Sequence, residues 1–146
     1  MKAFPGMLYQ TPEKALSHYY HDITQHIVNI NPDHYITSHN VTYPEKIEYT
    51  SPERETIKGE YPAFALNDSE VYINQQDTDP EGRVMLLGFY FEDKKENRTV
   101  MQDRAGWLRK KGDGWLIYFQ PGHSPAEFEE PVYLQILLNA LTWEAE

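Results

Sequence analysis

The run Arg83–Phe91 (RVMLLGFYF) constrains this chain more than any other segment. It is almost continuously apolar, as expected of a β-strand covered on both faces. A second such run, Trp115–Phe119 (WLIYF), follows the tight turn Lys110-Lys111-Gly112-Asp113-Gly114 and is predicted as another buried strand, with Trp115 in the core. Between the two, Thr99–Met101 and Ala105–Arg109 read as edge-like strand pieces. Upstream, Val71–Ile73 reads as a short strand leading into a polar loop.

Beyond Phe119 the pattern changes from strand to helix. Ser124 and Glu127 have capping-box spacing, and Pro125 falls at the first helical position, where its missing N–H costs nothing. Pro131 restarts the helix. Tyr133, Ile136, Leu137, Ala140 and Leu141 then recur at helical spacing, widened by Leu134 and Leu138, which predicts a helix pressed onto a sheet.

The first half is less legible. Thr11-Pro12-Glu13-Lys14 predicts a short helix running to about Tyr20, and Ile23–Ile30 a strand ended by the turn Asn31-Pro32-Asp33. From Tyr35 to Pro62 only short extended pieces are expected, in a long surface excursion.

Composition narrows the function. A 40% apolar, 14% aromatic chain can bury a core, so disorder is not expected. A net charge of −10 and the lack of any basic stripe argue against nucleic-acid binding. With no cysteine there is no disulfide, thiolate zinc site or cysteine nucleophile. No apolar leader or membrane-length run occurs, so no membrane association is expected and a cytoplasmic location is the default. No GxSxG elbow, phosphate loop or HExxH motif is present.

The closing segment GDGWLIYFQPGHSPAEFEEPVYLQILLNALTWEAE is similar to that of ThuA-like (trehalose-utilisation) proteins. The shared parts are Gly112/Gly114, the strand Trp115–Phe119, Gly122-His123, Phe128 with Pro131, and Asn139 to Trp143. Upstream, Phe64 to Tyr72, with Asp68 and Glu70, resembles the family's acidic-then-tyrosine strand. Asn31 to Thr37 looks like its Asp-His-Pro-Ile turn, with Tyr35 in place of the proline. The clearest resemblance covers Pro62 to Glu146, and residues 1–146 are read as a single, partial ThuA-like domain.

This resemblance implies an α/β fold with a flavodoxin-like, glutamine-amidotransferase-like sheet and a packed C-terminal helix. The N-terminal βαβ half normal to the family is not recognisable before Ile23. The chain is therefore expected to be a fragment, a split polypeptide or a divergent short form. A homo-oligomer or a partner chain supplying that half is expected as well. The function implied is use of trehalose or a related disaccharide. Amide transfer from glutamine is rejected for want of a thiolate.

His123 is the first candidate for chemistry, placed after a strand and before a helix N-terminus whose N–H groups suit developing negative charge. An imidazole there can serve as acid or base, with Glu70 or Asp68 as its carboxylate partner. The plainer reading is that His123 holds its loop and the carboxylates are solvated. Trp107 and Arg109, with Gly122, are the substrate-binding candidates, since flat rings and a guanidinium fork suit a sugar. His18, His21 and His26 with Asp22 raise a metal question, His18 and His21 sharing a helix face at i, i+3 spacing; no ion or cofactor is assigned. The competing function is a non-catalytic binding or interaction domain.

Overall fold

The computed structural model describes residues 7–9, 18–77 and 82–145. Its strands are β1 (Met7–Tyr9), β2 (His18–Asn29), β3 (Glu45–Thr50), β4 (Lys58–Ile73), β5 (Gln75–Asp77), β6 (Arg83–Asp93), β7 (Arg98–Lys111) and β8 (Gly114–Phe119). Its helices are α1 (Tyr35–Ser38), α2 (Pro125–Glu129) and α3 (Pro131–Thr142). Six strands form one sheet in the order β3-β4-β2-β6-β7-β8, while β1 and β5 pair separately.

The chain is thus α/β in the broad sense, but every described strand pairing is antiparallel. A flavodoxin-like sheet is parallel and needs a helical crossover between successive strands. Here β6, β7 and β8 follow one another through short connections, which only antiparallel neighbours permit.

The sheet buries both faces, and β6 runs through the middle of it, as its apolar run requires. On one side Ile27, Phe64, Leu66, Val71, Phe89, Phe91 and Leu108 pack with Tyr133 and Ile136 of α3. On the other, Val28, Met85, Trp107 and Tyr49 form a second core. Gly88 of β6 has no Cβ where the Tyr49 ring lies; an ideal Cβ there would stand 2.8 Å from the ring carbon Cζ. Beside it the buried Asp103 carboxylate accepts hydrogen bonds from Tyr49 Oη (2.7 Å) and Ser51 Oγ (2.5 Å), tying β3 and the loop after it to β7.

The two prolines open α2 and α3 where the sequence places them. Asn139, buried on α3, donates to the carbonyls of Ile36 (3.1 Å) and His39 (2.7 Å), so that α3 also caps the short α1. Of the wide apolar face expected on α3, Tyr133 and Ile136 are buried. Leu134, Leu138 and Leu141 face outward, because the sheet covers only one side of the helix.

Other expectations change. The helix start at Thr11 lies outside the described residues, and His18–Tyr20 is strand, pairing with Tyr72 and its neighbours. The supposed excursion from Tyr35 to Pro62 instead contains α1, β3 and the first part of β4, with β3 and β4 a paired ribbon. Thr99–Met101 and Ala105–Arg109 are one long interior strand, β7, rather than two edge pieces. The reverse holds for Trp115–Phe119, which forms the sheet edge, with Trp115 39% exposed. Among the described residues, no helix is long and apolar enough to cross a membrane.

Candidate functional site

Strict β alternation would aim Glu70 at the core. Phe64 and Leu66 of β4 are core residues, so 68 and 70 should follow them inward. The β2–β4 register prevents this: Ile23 faces Ser69 but Gln25 faces Leu66, leaving one extra residue in β4 at Asn67-Asp68. Asp68 sits in the bulge with a left-handed backbone (φ 48), which aspartate tolerates better than most residues. The bulge resets the alternation. Ser69, Val71 and Ile73 then face inward, and Glu70 is released. A compensating extra residue in β2, with Asp22 at φ 55, restores the pairing between Tyr20 and Val71.

At the end of β8 the chain turns through Pro121-Gly122-His123 into α2. Gly122 takes φ 149, a conformation favouring glycine, and an added Cβ would meet the Phe128 ring at 3.2 Å. Tyr133 Oη donates to the Pro121 carbonyl at 2.9 Å. Glu127 holds the loop from beneath. Its carboxylate, 2% exposed as a residue, accepts the backbone N–H groups of Gly122 (2.6 Å) and His123 (2.7 Å) and the Ser69 hydroxyl. Ser69 in turn accepts from Gln25 Nε2 at 2.6 Å. The half of the expected capping box that reaches back therefore exists, displaced onto the loop, while Ser124 makes no side-chain cap.

These bonds fix two neighbouring pairs, Ser69-Glu70 and Gly122-His123, against one another. As a result His123 Nδ1 lies 3.9 Å from Glu70 Oε2, the two side chains 39% and 22% exposed. That separation suits an ion pair when the imidazole is protonated, or one bridging water when it is not. Glu70 is thus the carboxylate brought to His123. Asp68 is exposed in the bulge, and no hydrogen bond or ion pair joins it to either residue among those described.

The remaining candidates separate. The loop amides of Gly122 and His123 are engaged by Glu127, and at the start of α2, a helix of only five residues, the Glu127 N–H donates to the Ser124 carbonyl at 3.2 Å. Trp107 is 2% exposed in the core on the far side of the sheet, stacked on Tyr118 at 5.2 Å, with the Arg83 guanidinium 5.7 Å over its ring. By alternation Arg109 faces the same way as Trp107. Phe128 is the aromatic the sequence reasoning passed over for binding: 45% exposed, its ring beside Gly122. Its place two positions ahead of Glu130-Pro131, on a turn of helix too short to bury every side chain, is the only sequence signal for it.

His18, His21, Asp22 and His26 line a separate groove of about 790 Å³, shared with Tyr90 and with Glu92 to Glu96. They lie on a strand, so the helical i, i+3 face does not exist. His21 Nδ1 bonds Asp22 at 2.6 Å and His26 Nδ1 bonds Glu45 at 2.7 Å. No cluster suited to holding a metal ion is found among the described residues. No family model matches the chain, and no curated protein matches it.

Proposed function

We propose that this chain is a ThuA-like protein acting on trehalose or a related disaccharide, with His123 and Glu70 as an acid–base pair. The observation that carries the reading is the 3.9 Å approach of His123 Nδ1 to Glu70 Oε2, both partly open to solvent. A carboxylate at that range can orient the ring and exchange a proton with it through one bridging water, as general acid–base work requires. Phe128 supplies an exposed apolar ring for a sugar face, in place of Trp107. On this reading the antiparallel sheet is one portion of a larger glutamine-amidotransferase-like fold. Its flavodoxin-like parallel half then comes from a partner chain or a longer polypeptide.

The test is binding first and turnover second. Trehalose and a keto-disaccharide are titrated into labelled protein, and the His123, Glu70 and Phe128 signals are followed by NMR. The reading expects shifts at those residues and their loss in His123→Gln and Glu70→Gln. An absence of response to either sugar, or an undiminished response in both variants, would sink it. A non-catalytic binding domain is the second reading, favoured by the Gly122 and His123 amides already being engaged by Glu127. It expects sugar or partner binding that His123→Ala leaves unchanged.

A further inference from the structure

The two edges of the main sheet are built differently. On β3, charged residues Glu45, Lys46 and Glu48 interrupt the apolar ones, and Lys46 pairs with Glu60 of β4 at 3.4 Å. Charged side chains on an edge strand discourage another strand from adding to it. The opposite edge, β8, reads Gly-Trp-Leu-Ile-Tyr-Phe and carries no charge at all; Trp115 and Leu116 are each 39% exposed.

The register shows which backbone groups point outward. Lys111 and Gly114 flank a two-residue turn, Arg109 faces Leu116, and the Gln120 N–H donates to the Ala105 carbonyl at 2.8 Å. Bonds to β7 therefore fall at Gly114, Leu116, Tyr118 and Gln120, because hydrogen-bonded and non-bonded pairs alternate. The N–H and C=O groups of Trp115, Ile117 and Phe119 point away from β7, and no backbone partner takes them among the described residues.

We propose that β8 pairs with β8 of a second copy of this chain, antiparallel, with Ile117 opposite Ile117 at the twofold axis. The strand is self-complementary about that residue. Trp115 then faces the partner copy's Phe119 and Leu116 faces its Tyr118, aromatic and aliphatic pairs of the kind that stabilise adjacent strands. Each of the outward amides meets an outward carbonyl. The antiparallel arrangement also directs the Lys110-Lys111 turn of each hairpin toward the Gln120 end of the other β8, which keeps the two lysine pairs at opposite ends of the contact. Such an isologous contact closes on itself and stops at the dimer. This inference does not depend on the chemistry of His123.

The experiment uses the intact chain. Sedimentation equilibrium across a range of concentrations is expected to give a species of about twice 17.2 kDa, and Leu116→Lys is expected to give the monomer with an unchanged circular-dichroism spectrum. The register has its own readout, since the native chain contains no cysteine. Ile117→Cys is expected to form a cross-linked dimer on mild oxidation, and Glu48→Cys on the opposite edge is not. A wild-type monomer at every concentration overturns the proposal. So does a folded Leu116→Lys dimer, or a dimer in which Ile117→Cys fails to cross-link, including one in which a different strand covers β8.

Discussion

Replacing Glu127 is expected to loosen the His123 loop by a calculable amount. The carboxylate accepts two backbone amides at 2.6 and 2.7 Å and the Ser69 hydroxyl. Hydrogen bonds to a charged group contribute about 1.5–3 kcal/mol each when one partner is lost. Water reaches part of this loop, since the His123 side chain is 39% exposed, so the amides recover some solvation once freed. The lower end of the range therefore applies to each of the three bonds, and Glu127→Ala should cost about 4–5 kcal/mol. For a domain of this size that corresponds to roughly 15 °C in Tm. Glu127→Gln keeps an oxygen for both amides and disturbs mainly the Ser69 contact, so about 1 kcal/mol is expected. Urea unfolding followed by tryptophan fluorescence measures both values, and amide exchange at Gly122 and His123 locates the effect. An alanine variant within about 0.5 kcal/mol of wild type refutes the reasoning. Equal losses for alanine and glutamine do so as well, because the carboxylate's geometry would then be irrelevant.

Alkaline stability provides a second test. Burial raises the phenols of Tyr43, Tyr49 and Tyr133, with the Asp103 carboxylate adding to the effect at Tyr49. A group whose pKa is raised in the folded state contributes stability below its unfolded value, near 10, and loses it as pH climbs further. Stability should therefore hold up to about pH 10 and then fall by about 1.4 kcal/mol per pH unit for each phenol that ionises only on unfolding. Absorbance titration of tyrosinate against unfolding measures this, and free titration of all tyrosines in the native state would contradict it. Gly88→Ala is expected to cost about 1–3 kcal/mol, because its methyl group enters the space of the Tyr49 ring, held in place by Asp103. Thermal melts decide the matter, and a variant as stable as wild type would show that Tyr49 is free to move.

Local signals made several elements readable. Proline at two helix starts, a glycine turn before β8 and the apolar run of β6 each act within a few residues, and each marks an element found where expected. What failed was neighbourhood. Trp115–Phe119 has the composition of a buried strand yet lies at an edge, because apolarity does not say how many strands will flank it. Trp107 and Trp115 exchange their expected surroundings for the same reason.

The sequence by itself determined the absence of thiol chemistry, the strand–turn–helix unit around His123, and the choice of Glu70 and Asp68 as carboxylates worth following. Only the tertiary structure decided between those two. One extra residue in β4 inverts the inside–outside alternation, turning Glu70 out of the core and leaving Asp68 in the bulge. A bulge is defined by the partner strand's register, and register is a property of residues far apart in the chain. The anchoring by Glu127 arises in the same way. Its spacing from Ser124 suggested a helix cap, but the burial of Ser69 and the turn at Gly122 set where its carboxylate went.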